Sequence, residues 1–318
     1  MLPRLLNGFD EFRGMPGNRW MFPTASTLQK IALGAWAVST CMIPSTLNAQ
    51  PGDAPPKPSF ADLAYAEQSP AQKLDLYLPK SGGEPAPLVI WIHGGGFMVG
   101  DKRSMSRRDF GPPPKPAGPM GPFQVQVPDV AALMAKGYAV VSLNYRLGPT
   151  MSDAALSAVR DGKAAVRFLR AHAGQYHLDA AKFAVWGNSA GGYMAAVLGA
   201  TGDQASVFDD PSLGNAAVSS AVQAVIVWFG AEDRLRDPKL SIQRYLPTAK
   251  ILPPFQIANG DADQIISPRQ ARRLHEALLK AGAKSTLTIL PGAGHEDPAY
   301  MATQMVPAFA FIDRSFGR

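Results

Sequence analysis

Apolar residues in this chain gather in short runs, and the segments between the runs carry a helical period. The runs fall at 88–92, 138–143, 183–187, 224–230, 255–259 and 286–290, with Leu74 to Leu78 as an earlier one. Each is a candidate buried strand, and Pro87 to Ile92, unbroken rather than alternating, predicts burial on both faces. From Ser152 to Ala171 the period lengthens, and Leu156, Val159, Val166 and Leu169 share one face behind a cap at Ser152 or Asp153. Pro268 to Ala281 predicts a second helix, opened by proline and stopped by Gly282. Pro298 to Phe316 predicts the last one. Strands alternating with helices require the α/β class, a mostly parallel central sheet with helices on both faces. With 318 residues, 46% of them hydrophobic, one large core in one domain is expected.

The points where the runs break carry the chemistry. The run Phe183-Ala184-Val185-Trp186 breaks into Gly187-Asn188-Ser189-Ala190-Gly191 and resumes as the helix-forming Tyr193 to Leu198. Strand, Gly-x-Ser-x-Gly, helix is the context of a nucleophile elbow. Ser189 is therefore the candidate nucleophile, a hydroxyl inert until a base takes its proton. Pro87 to Ile92 ends in His93-Gly94-Gly95-Gly96-Phe97, where three glycines leave backbone N–H groups unobstructed. Such groups suit a hole for a developing oxyanion, with Gly95, Gly96 and Ala190 as the donors. His93 is expected to brace that loop, and Trp186 to be core.

Two downstream loops supply the partners. After the run ending at Asn259-Gly260 come Asp261, Ala262 and Asp263, two candidate acids. After the last run comes Pro291-Gly292-Ala293-Gly294-His295. Of five histidines, His172 and His177 follow a helix end and His275 lies inside a helix. Only His295 follows a strand end late in the chain, which makes it the candidate base. Asp297, beside it, reads as a solvated loop acid. The order serine, aspartate, histidine is that of the α/β-hydrolase triad.

The chain resembles an α/β-hydrolase of the carboxylesterase type. It is most similar to the bacterial feruloyl and acetyl-xylan esterase-like (BD-FAE-like) group, with hormone-sensitive-lipase-type esterases next. The matching pieces are Gln72 to Pro79, Trp91 to Phe97 with Gly100-Asp101-Lys102, Asn144-Tyr145-Arg146-Leu147, Asp161 to Arg170, and the elbow. The likeness runs from about residue 65 to the C-terminus. It implies the α/β-hydrolase fold and hydrolysis of carboxylic esters, with acyl-sugar or hydroxycinnamate esters as substrates. It also selects Asp263 as the acid, through Gly260, Asp263, Ile266 and Pro268 of a Gly-x-x-Asp-x-x-Ile-x-Pro loop. Only a short segment separates residue 49 from the core, so the helical N-terminal cap of hormone-sensitive-lipase-like enzymes is expected to be absent and the site open. Three positions depart from the pattern: Asn188 where relatives often carry an acid, and Tyr193 and Asn259 where histidine is frequent. Peptidase or formamidase activity on the same fold, and a non-catalytic binding role, are the alternatives.

The N-terminus differs in kind. Arg4, Arg13, Arg19 and Lys30 precede a mostly apolar stretch from Ile31 to Ile43, and Leu47-Asn48-Ala49 offers a cleavage site before Gln50. Residues 1–49 thus have the layout of a secretory signal peptide, with Met21 an alternative start, and the apolar stretch is too short to span a bilayer. Export to the periplasm or beyond is expected. The one cysteine, Cys41, lies inside that segment, and Val38-Ser39-Thr40 before it fits a lipid-attachment site poorly. Residues 50–64 are expected to be a proline-rich linker, and 65–318 the catalytic domain. A proline-rich insertion at about 103–127 contains Phe110, Met120 and Phe123 and is expected at the rim of the site.

Composition narrows the partners. A net charge of +6 without a basic cluster interleaved with aromatics argues against nucleic acid. No His-Glu-x-x-His, dinucleotide glycine fingerprint or P-loop is present, so no metal or organic cofactor is expected. The expected partner is a small-molecule or polysaccharide-linked ester, with Met98, Tyr145 and Tyr193 as candidate substrate contacts.

Overall fold

The computed structural model describes residues 56–80, 83–105, 128–202, 204–230, 235 and 237–318. The 1–49 signal segment with Cys41, residues 50–55 of the linker, and all but the first three residues of the 103–127 insertion lie outside them.

Eight strands form one sheet: β1 (Phe60–Ala64), β2 (Lys73–Tyr77), β3 (Ala86–Ile92), β4 (Ala139–Leu143), β5 (Leu178–Asn188), β6 (Ala224–Trp228), β7 (Phe255–Gly260) and β8 (Ser285–Leu290). Their spatial order is β1-β2-β4-β3-β5-β6-β7-β8. The β1–β2 and β2–β4 pairs are antiparallel and every later pair is parallel. Five helices cover the sheet: α1 (Val130–Ala135), α2 (Met151–Ala171), α3 (Ala190–Thr201), α4 (Pro268–Lys280) and α5 (Ala299–Ser315). Leu88, Ile90 and Ile92 of β3 join the core under α2, α3 and α4, whereas Val89 and Trp91 join the core under α1 and α5. That alternation along one strand explains why the run is apolar throughout. Helix α3 is buried at every residue, so it carries no amphipathic period.

Several boundaries move. Strand β1 occupies the last five residues of the stretch read as linker, pairing with β2 through Phe60↔Leu76 and Ala64↔Lys73. It is an edge strand with mostly exposed residues, so no apolar run announces it. Helix α1 was not expected; its six residues are too few to display a period, and Asp129 caps it by accepting from the Ala132 N–H at 2.9 Å. The cap of α2 is Thr150, not Ser152 or Asp153. Its hydroxyl accepts from the Asp153 N–H at 3.2 Å and donates to the Asp153 carboxylate at 2.6 Å. Strand β6 ends at Trp228, before Phe229 turns to φ 39°.

Candidate active site

Ser189 is the single residue between β5 and α3, with φ 52° and ψ −117°. A non-glycine residue there stores about 1–3 kcal/mol of strain, held by its surroundings. The Ser189 N–H donates to the Trp228 carbonyl at 3.0 Å, and its carbonyl accepts from the Tyr193 N–H at 3.1 Å. Gly191 shows why the motif needs glycine. A Cβ there would lie 2.1 Å from the Ile92 carbonyl oxygen.

His295 reaches Ser189 from the loop after β8. Its Nε2 is 3.1 Å from Ser189 Oγ, and its Nδ1 is 2.8 Å from Asp263 Oδ2. A carboxylate only accepts, so Nδ1 carries the proton and Nε2 is left to accept from the serine. The other Asp263 oxygen accepts from the Ile265 and Ile266 N–H groups at 2.9 and 2.8 Å. Phe229 packs edge-on to the imidazole at 4.7 Å, and Tyr300 lies 4.6 Å beyond it. Neither aromatic was singled out from sequence, since nothing about an isolated Phe or Tyr marks it as a neighbour of a distant histidine.

The competing acids have other work. Asp261 Oδ1 accepts from the Gly292 N–H at 2.6 Å and ties the acid loop to the histidine loop. Asp297, rather than a solvated acid, accepts from the Ala299 N–H at 2.8 Å where α5 begins. Glu296, half-buried with φ 58°, is pushed up to about 7; burial is the main cause, with His295 opposing and Asp263 adding. An unfolded glutamate ionises near 4.5, so stability should decline as pH rises from there toward 7. Glu296→Gln should remove that decline, raising stability at pH 8 by about 1–3 kcal/mol and leaving it unchanged at pH 4. Thermal melts at the two pH values would check it.

The glycine loop lies directly against the serine. A Cβ at Gly94 would be 3.2 Å from Ser189 Cβ. Gly95, at φ +100°, starts a tight turn whose carbonyl accepts from the Met98 and Val99 N–H groups, both at 3.1 Å. Gly95 and Gly96 thus sit in the expected loop, and Ala190 opens α3, where the first N–H groups lack helical acceptors. His93 braces the loop as expected. Its Nδ1 is 2.7 Å from the Gly94 carbonyl, and its ring stacks on Tyr145 at 4.4 Å.

Burial lowers the His93 pKa to about 4 against an ordinary 6.5. The unfolded chain takes up this proton below about 6.5 and the folded chain only near 4. About 3 kcal/mol of stability should therefore be lost as pH falls across that window. Urea midpoints at pH 7, 5.5 and 4 should decline less steeply in His93→Gln.

Two of three expected substrate contacts are corrected. Tyr145 is 1% exposed, and its hydroxyl donates to the His93 carbonyl at 2.9 Å. Tyr193 is 0% exposed, and its hydroxyl donates to the Leu240 carbonyl at 2.6 Å. Both rings pack on Phe97, so they shape the loop from beneath and offer no surface to a substrate. Met98 and Val99, which follow the glycine loop, are exposed.

The other quoted segments are scaffold. Asp161, fully buried, accepts from Gln72 Nε2 at 2.7 Å and the Arg146 N–H at 2.8 Å, and pairs with the Arg146 guanidinium at 2.7 Å. Lys102 and Asp75 form a buried pair at 2.7 Å that pins the chain following Gly100. Among the described residues no cluster of His, Cys, Asp or Glu could hold a metal ion.

Comparison with known proteins finds family models, curated relatives and solved structures similar to this chain. The BD-FAE family model matches residues 74–111 and 121–244, just over half of the chain, including the glycine loop and Ser189. The dienelactone hydrolase family model matches 212–304, including Asp263 and His295. The probable carboxylic ester hydrolase LipM of Mycobacterium tuberculosis is 26% identical over 66% of this chain and 49% of its own. Esterase LipC of the same organism is 27% identical over 71% of this chain and 57% of its own. The chain thus spans about half the length of the curated relatives it matches. Among solved structures, a truncated carbohydrate esterase from gut microbiota superposes with a TM-score of 0.65 at 23% identity, covering 84% of this chain and 100% of its own. Esterase Est2 of Thermogutta terrifontis gives 0.63 at 22%, covering 82% and 97%. These likenesses fix an α/β-hydrolase fold.

Proposed function

The chain belongs to the BD-FAE family, and from that premise we propose that it is a serine hydrolase of carboxylic esters. The observation that carries the reading is the continuous chain from Ser189 Oγ through His295 to Asp263, at 3.1 and 2.8 Å. In this mechanism Ser189 Oγ attacks the ester carbonyl while His295 Nε2 takes its proton. Asp263 holds the imidazole in the right tautomer and stabilises the imidazolium. The N–H groups of Gly95, Gly96 and Ala190 receive the oxyanion, each donor supplying about 3 kcal/mol. The intermediate collapses, the alcohol leaves with the proton from His295, and an acyl-serine remains. Water, deprotonated by the same imidazole, then attacks the acyl carbon; the acid departs and Ser189 recovers its proton.

Short-acyl or carbohydrate-linked esters, acetyl or feruloyl, are the proposed substrates. The neighbour described as a carbohydrate esterase supports this choice. Export, with cleavage before Gln50, is proposed from the layout of residues 1–49. Protein from Gln50 onward should release p-nitrophenol from acetate and butyrate esters, with less from octanoate. A folded protein that releases none would overturn the reading. Acetylated xylan and feruloyl sugars then test the alcohol side, and the N-terminal sequence of protein recovered outside the cytoplasm tests export.

A further inference from the structure

Asn259 lies at the C-terminal end of β7, fully buried, paired in register with Ile289. Its Nδ2 donates to two carbonyls, Gly260 and Ile266, each at 3.1 Å. Those carbonyls bracket the acid loop, and Asp263 sits between them. Ile266 also donates its own N–H to Asp263 Oδ1 at 2.8 Å. One amide therefore holds, by its carbonyl, the same residue whose N–H donates to the Asp263 carboxylate. The entry to the loop is held by other bonds: the Gly260 N–H donates to the Tyr300 hydroxyl at 2.6 Å, the Asp261 and Ala262 N–H groups donate to the Leu290 and Ala293 carbonyls, both at 3.1 Å, and Asp261 Oδ1 accepts from the Gly292 N–H. At the far side of the loop Asn259 ties the Ile266 carbonyl back to the end of β7.

The same side chain carries a penalty. Asn259 Oδ1 is buried without a partner among the described residues. Turning the amide over would bring that oxygen against two carbonyl oxygens, so the donors fix its orientation. A buried acceptor left unpaired opposes folding, and an apolar residue of equal volume would avoid it. What Asn259 supplies in return is the pair of donors at the mouth of the acid loop.

We propose that Asn259 is a positioning residue for the hydrolysis, holding the Gly260–Ile266 loop so that Asp263 stays on His295 Nδ1. It touches neither substrate nor reacting atoms, and it acts only through Asp263. The proposal rests on the serine-hydrolase reading. Removing the two donors lets the carboxylate move by a fraction of an ångström, which weakens the transition state and leaves ester binding alone.

The test is a double-mutant cycle of Asn259→Leu with Asp263→Asn, read as kcat and KM for p-nitrophenyl acetate above a Ser189→Ala blank. Asn259→Leu keeps the volume and removes both donors. Alone it should lower kcat on the order of 10- to 100-fold with KM within about twofold. In the Asp263→Asn background the further loss should shrink to less than about threefold, because the carboxylate it positions is gone. If the leucine variant does not accumulate as folded protein, Asn259→Ala enters the same cycle. An equal fold-loss in both backgrounds would make Asn259 a fold residue only and overturn the proposal. So would undiminished kcat in a folded single variant. Turnover that survives in Ser189→Ala would instead sink the serine-hydrolase reading itself, so the two failures are distinguishable.

Discussion

Ser189→Ala should lower kcat for p-nitrophenyl acetate by about 10⁴- to 10⁶-fold while the protein remains folded. The size follows from the mechanism. Without Oγ there is no atom to form the acyl intermediate, and His295 has no proton to take. What remains is water attack aided by the oxyanion donors and by binding. Alanine keeps the Cβ, so the left-handed backbone at φ 52° is as strained as before and the melting temperature should scarcely move. Ser189→Gly separates the two effects. It should be equally inactive, yet more stable by about 1 kcal/mol, because glycine occupies that conformation without penalty. A fluorophosphonate probe should label the wild type once and neither variant. Turnover retained in Ser189→Ala would remove the nucleophile from this serine.

The strand ends were legible in the sequence because chemistry and fold coincide there. The central strands of the sheet, buried on both faces, are written in apolar runs such as Leu88 to Ile92, and catalytic side chains occupy the loops where the strands stop; β8, an edge strand, alternates instead. Ser189 and His295 were found at such stops, and so were Asp261 and Asp263, between which the family resemblance chose Asp263. The glycines around the elbow were legible for a steric reason, since the Ile92 carbonyl leaves no space for a Cβ at Gly191. What the sequence concealed depends on long-range packing. Tyr145 and Tyr193 looked like pocket residues because they neighbour functional motifs, but their hydroxyls are spent on the His93 and Leu240 carbonyls. Proximity in sequence to a site does not set the direction of a side chain. Strand β1 and helix α1 were missed because one is an exposed edge and the other has fewer than two turns. The bond made by Asp261 could be read only once the loops after β7 and β8 were brought together, and those made by Asn259 only once the acid loop folded back on β7.

Asp263→Asn and Asp261→Asn, two residues apart and chemically the same change, should differ by about three orders of magnitude or more in kcat. At position 263 the Ile265 and Ile266 N–H groups both point at Oδ1 and demand an acceptor there. An asparagine must keep its carbonyl oxygen on those donors, which turns its NH₂ toward His295 Nδ1. That nitrogen must then accept, so the imidazole proton moves to Nε2, the atom facing Ser189 Oγ. The base is occupied by its own proton, and the imidazolium has lost its negative neighbour. An asparagine that inverts the tautomer in this way costs about 10⁴ in kcat. At position 261 the side chain accepts a single bond from the Gly292 N–H at 2.6 Å. An asparagine oxygen accepts that bond equally well, so Asp261→Asn should stay within about threefold of wild type, as a change from charged to neutral acceptor on an exposed loop does. Steady-state kinetics of both variants on p-nitrophenyl acetate, with circular dichroism to confirm folding, give the comparison. Equal losses would mean that the acid loop works as one unit and that Asp263 has no separate role. A larger loss at Asp261 would transfer the role to it, against the 2.8 Å contact between Asp263 and His295.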